Sequence, residues 1–146
     1  MWFVYAMSAA VIWGVSYAAS GRVIQRGMTP TVFFFLYAAF GVLSTASFLA
    51  ATGRFVTLPG QIRELEGDWK WLVIAVITSV AGAFLIYMAI SEKNATVASL
   101  IEISYPFFVA IFAWVFFRDT QFNWQTVVGG ALILSGVAVV FLGNKN

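Results

Sequence analysis

Five long runs without charge, broken by one acidic residue, constrain the fold of this chain more than any other feature. The runs cover residues 1–21, 27–53, 71–91, 94–117 and 120–144, and Glu102 is the one charge inside them. Each run provides the ~20 apolar residues that a helix needs to cross ~30 Å of hydrocarbon. Because lipid offers the backbone no hydrogen-bonding partners, such spans form helices. The sequence therefore predicts an all-α integral membrane protein, a bundle of about five transmembrane helices.

The composition favours a membrane protein over a soluble domain. Hydrophobic residues make up 62% of the chain and charged residues 10%, and a soluble domain cannot keep that much apolar surface away from water. The net charge of +2 rests on few charges and gives no indication of nucleic-acid binding. Without cysteine or histidine, the chain lacks disulfides, thiol chemistry and the usual general base. No catalytic residue, metal site or enzyme activity is predicted.

Turn and cap residues set the expected helix ends. The sequence predicts a single domain over 1–146, with helices over about 2–26, 30–52, 69–91, 95–117 and 123–142. Gly27 is expected to close the first helix, and Thr29-Pro30 to open the second. The one long connection, 54–68, has mixed charges and is expected to be a solvated turn of helix. The first run has no basic leader and no cleavage pattern, so we expect it to be a retained span.

Glu102 is the first candidate for a functional residue. It lies roughly 12 Å along the helix from Asn94, inside the hydrocarbon, where a charge costs about 2.5–3.5 kcal/mol. Pro106 has no N–H, so the Glu102 carbonyl loses its helical partner. Ser99 and Tyr105 lie three residues to either side, on roughly the same face. We favour a substrate- or proton-handling role; the alternative is a protonated Glu102 bonded between helices.

The first helix supplies three more candidate binding residues, Trp13, Ser16 and Tyr17. Trp13 lies far from both membrane interfaces, and a tryptophan packed in the core is the alternative interpretation. Polar-tipped aromatic side chains facing Glu102 would form a pocket for a small amphipathic or cationic solute. No cofactor is expected, but the Glu102 carboxylate could couple transport to proton movement. Tyr87, near the opposite interface, is interpreted as an anchor or a packing residue.

Lysine and arginine are divided equally between the two sides of the membrane. If the N-terminus lies on side A, five spans place four of the eight basic residues on each side. Side A holds Arg54, Arg63, Lys70 and Arg118, and side B holds Arg22, Arg26, Lys93 and Lys145. Cytoplasmic loops normally carry the Lys/Arg excess that fixes orientation. The tie has two explanations, chance or dual topology with both orientations inserted.

Small residues recur at helix-packing spacing in three helices, and the stripe of the third is Ala75, Ser79 and Ala83. Such stripes let helix backbones approach closely in lipid, which provides no hydrophobic drive for association. The last helix carries Gly129, Gly136 and Gly143 at seven-residue spacing, and the first carries Ala6, Ala10, Gly14 and Ala18. The glycine stripe is the predicted dimer contact, with the third and fourth helices as the rival. The ladder of the first helix is expected to pack within the chain.

Several short motifs follow one another in a specific order along the chain. They are Trp13-Gly14-x-Ser16, Tyr87-Met88-Ala89-Ile90, Ala95-Thr96-Val97-Ala98-Ser99-Leu100, Pro106, and Gly129-Gly130 with Gly136. In this order and spacing, over nearly the whole chain, they resemble the EamA-type half of the drug/metabolite transporter superfamily. Asp119 stands where that family usually has Glu, which keeps the charge. Glu102 matches no fixed family motif, so its role is inferred from its position alone.

The resemblance implies a transporter. Typical members look like ten-helix secondary carriers of amino acids, metabolites, sugar nucleotides or drugs, built from two five-helix halves in inverted orientation. The sequence covers one half, so we expect an antiparallel homodimer in a prokaryotic plasma (inner) membrane, working by alternating access around a midplane site. The expected partners are a second copy, the lipid bilayer and a small-molecule substrate. The alternatives are a non-transporting membrane scaffold or one subunit of a heterodimeric transporter.

Overall fold

A computed structural model describes residues 1–119 and 123–144. These residues contain seven α-helices and two short 3₁₀ turns, and no strand is found among them. The helices are α1 (Trp2–Gln25), α2 (Pro30–Ala51), α3 (Leu58–Glu64), α4 (Trp69–Glu92), α5 (Ala95–Glu102), α6 (Tyr105–Phe117) and α7 (Trp124–Gly143). Lys145, which the charge count assigns to side B, lies outside the described residues.

Five segments of the described residues are long and apolar enough to cross a membrane. They are Trp2–Gln25, Pro30–Ala51, Glu66–Glu92, Ala95–Phe117 and Trp124–Gly143, and the shortest has 20 residues. At a rise of 1.5 Å per residue, even that helix covers ~30 Å of hydrocarbon. The predicted fold class, an all-α protein with five long apolar helices, is confirmed.

The turn between α1 and α2 is built from the residues that the sequence indicated. Gly27 has a φ of +107°, a backbone conformation that glycine adopts without steric cost. The Thr29 hydroxyl accepts a hydrogen bond from the Val32 amide at 3.4 Å, and Pro30 occupies the first turn of α2. Such a cap and such a proline both favour the start of a helix.

The fourth expected helix is divided in two, which corrects the single helix predicted over 95–117. α5 ends at Glu102, and α6 begins at Tyr105 with Pro106 in its first turn. The Ser104 amide bonds to the Ile101 carbonyl at 3.2 Å, three residues back instead of four. A proline is tolerated at the start of a helix but not in its interior, so the chain begins a new helix where Pro106 requires one.

The long connection after α2 is mostly helical. Two 3₁₀ turns, Arg54–Val56 and Glu66–Asp68, lie on either side of α3. No residue of these three short elements is buried. The structure therefore agrees with the solvated turn of helix that the mixed charges predicted.

Arg22–Ser91 forms one compact unit, in which aromatic side chains pack α2 against α4. Tyr87 is 1% exposed, and its ring centroid lies 4.8 Å from that of Phe33 and 5.8 Å from that of Tyr37, both in edge-to-face geometry. Pairs of this kind contribute about 0.5–1.5 kcal/mol each beyond the burial of their area. Of the two roles considered for Tyr87, the structure selects the packing residue.

Met1–Gly21 and Glu92–Asn146 form the second unit, in which α5 packs against α7. The Lys93 ammonium group donates a hydrogen bond to the main-chain carbonyl of Asn144 at 3.0 Å, just beyond the end of α7. A cation at this end of a helix complements the negative end of its dipole. This contact ties the turn before α5 to the end of α7, and the unit contains every residue of the predicted binding site.

Most of the apolar surface is exposed. At most 17% of any span is buried among the described residues, an arrangement suited to lipid but not to water. The ladder Ala6, Ala10, Gly14 and Ala18 of α1 is exposed throughout, and a Cβ added at Gly14 would meet nothing within 4 Å. The expectation that this ladder packs within the chain stays a prediction.

Replacing Tyr87 by alanine should lower the free energy of unfolding by about 3–5 kcal/mol, the range for deleting a buried aromatic side chain. Thermal unfolding of the purified protein in detergent measures the effect. Tyr5→Ala, at a tyrosine that is 71% exposed, is the matched control and should change the melting temperature little. Equal melting temperatures for the two variants would contradict the stabilising role of the aromatic packing.

Candidate functional site

The polar residues of α5 lie along one side of a short amphipathic helix. Asn94 caps the helix, because its side chain accepts a hydrogen bond from the Val97 amide at 2.9 Å. Thr96, Ser99 and Glu102 follow at three-residue spacing, which makes them neighbours on the helix surface. The long helices α2, α4 and α7 are instead apolar all round. Within the described spans, α5 thus presents a polar side where the long helices do not.

Glu102, at the break between α5 and α6, has two groups that can accept hydrogen bonds: its side-chain carboxylate and its main-chain carbonyl. Its side chain is half-buried, and within the described residues none is seen to donate a hydrogen bond to its carboxylate. Its main-chain carbonyl lacks the usual donor four residues on, because Pro106 has no N–H. The Phe107 amide bonds instead to the Ser104 carbonyl at 3.1 Å. The carboxylate and the carbonyl can therefore accept from a cation, a proton or a substrate hydroxyl.

The two polar neighbours predicted beside Glu102 differ in their surroundings. Ser99 lies one turn back on α5, is half-buried, and donates its hydroxyl to the Thr96 carbonyl at 3.1 Å. Tyr105, the first residue of α6, is 60% exposed. Ser99 thus shares the polar side of α5 with Glu102, whereas the Tyr105 ring reaches the surface of the chain.

The candidates on α1 form a second group. The rings of Trp13 and Tyr17 are in contact, with centroids 5.5 Å apart, and Ser16 and Tyr17 are half-buried. Trp13 is 44% exposed, which is more than core packing leaves to a tryptophan. Glu102 makes no hydrogen bond to this group in the described part of the chain. A pocket shared by the two groups therefore stays a prediction.

Two depressions lie elsewhere, both within residues 22–91. One of about 630 Å³ is at the turn between α1 and α2, and one of about 530 Å³ lies beside α3. Neither is lined by a residue of the predicted site. The first contains Arg22 and Arg26, which the sequence places among the basic residues of side B. Their four-residue spacing was the signal that they share a surface.

The glycine stripe of α7 faces open space in the single chain. A Cβ added at Gly129, Gly136 or Gly143 would meet nothing within 4 Å. No contact among the described residues therefore requires glycine at these positions. The stripe is free to approach another helix closely, and its role as a dimer contact stays a prediction.

Replacing Pro106 by alanine should join α5 and α6 into one helix, because residue 106 then supplies the N–H that the Glu102 carbonyl lacks. Hydrogen exchange of the detergent-purified protein should show slower exchange for the peptide that covers 103–107. Pro30→Ala is the matched control, since Pro30 follows no helical turn and its substitution completes no such bond. Unchanged exchange over 103–107 would show that the proline does not divide the helix.

A comparison with known proteins identifies the family of this chain. The sequence matches the EamA-like transporter family over residues 1–142, a range that includes all of the first four spans and nearly all of α7. The chain matches no curated protein and no solved structure. The family consists of transporters, not enzymes, and its members are embedded in the lipid bilayer. The chain therefore belongs to the EamA-like transporter family and is a multi-pass membrane transporter of the drug/metabolite type.

Proposed function

We propose that this protein is a secondary transporter of small metabolites or drugs, working by alternating access in the plasma (inner) membrane of a prokaryote. The observation that carries the proposal is a half-buried acidic residue, Glu102, at a helix break inside a span of a transporter-family chain. Secondary transporters bind substrates and coupling ions at discontinuous helices, where main-chain groups are free to coordinate them. The prokaryotic location follows from the sequence resemblance.

The candidate side chains favour a small amphipathic or cationic substrate. The Trp13 and Tyr17 rings can attract a cation by their faces, and Glu102 supplies a negative charge. Ser16, Ser99 and Tyr105 supply hydroxyl groups for hydrogen bonding. In this proposal the α1 group and the α5–α6 break meet the same substrate in at least one state of the transport cycle. The protein uses no cofactor, and the proton that Glu102 takes up and releases is the coupling ion.

Replacing Glu102 by glutamine should abolish the pH dependence of transport and most of the flux, because glutamine keeps the size of the side chain and removes its proton. A thermal-shift screen of amphipathic cations and metabolites selects the substrate. Its uptake into liposomes is then measured across a pH series, together with a trapped pH-sensitive dye that reports proton movement.

The matched control is Glu92→Gln, which makes the same chemical change at an exposed residue at the end of α4. It should transport as the wild type does. An unchanged flux and pH profile in Glu102→Gln, with equal amounts of folded protein, would reduce Glu102 to a packing residue. If the wild-type protein binds compounds but transports none of them, the alternatives are favoured: a non-transporting membrane scaffold or one subunit of a heterodimeric transporter.

The proposed assembly is an antiparallel homodimer, in which a second copy has the opposite orientation. Inverted-repeat transporters rock one bundle against another of opposite orientation. Because the basic residues are divided four and four, neither orientation is preferred. A two-fold axis in the membrane plane makes the interface self-complementary. The α7 glycine stripe, open in the single chain, is the proposed contact, and α4 with α5–α6 is the rival.

A single cysteine should reveal both orientations in intact cells. The chain has no cysteine of its own, so Gly60→Cys in the exposed α3 is labelled without background. An impermeant thiol reagent should modify a fraction of the protein comparable to the fraction that it leaves protected. Finding all of the Gly60→Cys protein on one side of the membrane would rule out dual topology.

Added lysines test whether the second copy is needed. Gln61→Lys with Glu64→Lys adds positive charge on side A, and Gln25→Lys with Ser91→Lys adds it on side B. By the positive-inside rule, each pair should force one orientation. Each variant alone should lose transport, and co-expression of the two should restore it. Full transport by either variant alone would contradict the antiparallel pair. The proposed role of Glu102 would still stand after that result.

A further inference from the structure

Arg22 and Arg26 present two positive charges on one surface at the end of α1. They are four residues apart in and just beyond its last turn, which makes them neighbours on the helix surface. Both side chains are exposed. Both line the depression of about 630 Å³ at the turn to α2. Two guanidinium groups at one concave surface form a site that a single divalent or monovalent anion can occupy.

These charges are not neutralised locally. Neither guanidinium group makes an ion pair or a hydrogen bond with another residue in the described part of the chain. Arginine binds phosphate through two parallel N–H donors, which gives both charge and shape complementarity. A pair of such groups therefore favours an oxyanion such as phosphate over chloride, and phosphate brings more acceptor oxygens than a carboxylate does.

The start of α2 adds to the positive potential at the same depression. Thr29 and Val32 both line it, so the first turn of α2 forms part of its wall. The positive end of a helix dipole favours anions in its first turn. Pro30 has no N–H to offer, and the Val32 amide already donates to the Thr29 hydroxyl, so this contribution comes from the helix dipole. The arginine pair supplies the net charge.

The depth of the site identifies the occupant. α1 has 24 residues and is about 36 Å long, which exceeds the ~30 Å hydrocarbon thickness by about one turn. Arg22, the one charge within α1, lies in its last turn, and basic side chains at the ends of spans reach the membrane interface, so we place this turn at the level of the lipid headgroups. Val23, Met28 and Val32 give the same depression an apolar wall, against which the upper part of an acyl chain can pack. A lipid meets both surfaces, whereas a free phosphate meets only the arginines.

From this arrangement we propose that the α1–α2 turn is a binding site for an anionic phospholipid, held by its phosphate between Arg22 and Arg26. The site is separate from the residues proposed for transport, and it requires neither Glu102 nor a second copy of the chain. Basic pockets at the ends of transmembrane helices bind lipid headgroups in this way. The lipid lies at the turn between α1 and α2 and stabilises it.

The test is lipid binding by the purified full-length chain in neutral detergent, counted by native mass spectrometry during titration with phosphatidylglycerol or phosphatidylcholine. The variant Arg22→Gln with Arg26→Gln should lose affinity for phosphatidylglycerol about fivefold per arginine, as expected for one basic side chain at an anionic lipid surface. Affinity for phosphatidylcholine should stay low and equal in both proteins. The control Arg54→Gln with Arg63→Gln removes the same charge elsewhere and should bind phosphatidylglycerol as the wild type does.

Two further arms decide the remaining outcomes. The variant Arg22→Lys with Arg26→Lys keeps both positive charges but loses the two parallel N–H donors of each guanidinium group. Its affinity for phosphatidylglycerol should therefore lie between those of the wild type and the glutamine variant. Inorganic phosphate at equal concentration should not displace the lipid. Displacement by phosphate would overturn the lipid proposal in favour of a free-phosphate site. Equal losses in the glutamine variant and the Arg54–Arg63 control would overturn a defined site altogether.

Discussion

The absence of water from the hydrocarbon interior is the constraint on which this structure depends. A main-chain polar group left without a partner in lipid costs several kcal/mol, so each span has to be helical and nearly continuous. α1, α2, α4 and α7 meet this requirement without a break. The span Ala95–Phe117 does not, because Pro106 removes a donor and the chain starts a new helix at Tyr105. An acidic residue at that same point makes the break a candidate functional site as well as a local cost.

A second consequence of the bilayer is that helices need specific contacts to associate. Lipid tails are as apolar as leucine, so burying apolar surface between spans gains little. The contacts within each unit are accordingly specific ones. Phe34 and Phe84 pack edge to face at 5.6 Å beside the buried Tyr87, and Lys93 bonds to the end of α7. Most of the remaining apolar surface is exposed in the described residues, as a lipid environment allows.

The sequence predicted the spans well because charges and caps mark both ends of each one. The four undivided helices begin and end within a residue of their expected positions, and Gly27 and Thr29 form the turn expected of them. From the sequence, Pro106 predicts one lost helical hydrogen bond, but it does not predict that a second helix begins there. The burial of Tyr87 could not be predicted from the sequence, for a physical reason. Most spans are apolar all round, so no periodicity tells which side faces another helix.

The candidate site shows the same division between local and tertiary information. Glu102 could be found from composition and spacing, because one acid in an apolar run is conspicuous. Helical spacing places Ser99 on the same side of α5 as Glu102, and it also predicts the contact of Trp13 with Tyr17. Whether those two groups share a substrate depends on the placement of whole helices. Sequence spacing carries no information about that placement.

The depth of Glu102 connects the proposed chemistry to the proposed assembly. Seven residues separate it from the start of a 23-residue span, which places it about 10 Å from one edge of a ~30 Å core and about 5 Å from the midplane. A parallel partner would bring a second Glu102 to the same depth on the same side. An antiparallel partner instead places the two carboxylates about 5 Å either side of the midplane, one nearer to each face. In the proposed antiparallel pair, rocking would expose one carboxylate to each compartment in turn, so two identical chains would supply the two-sided access that an inverted repeat provides.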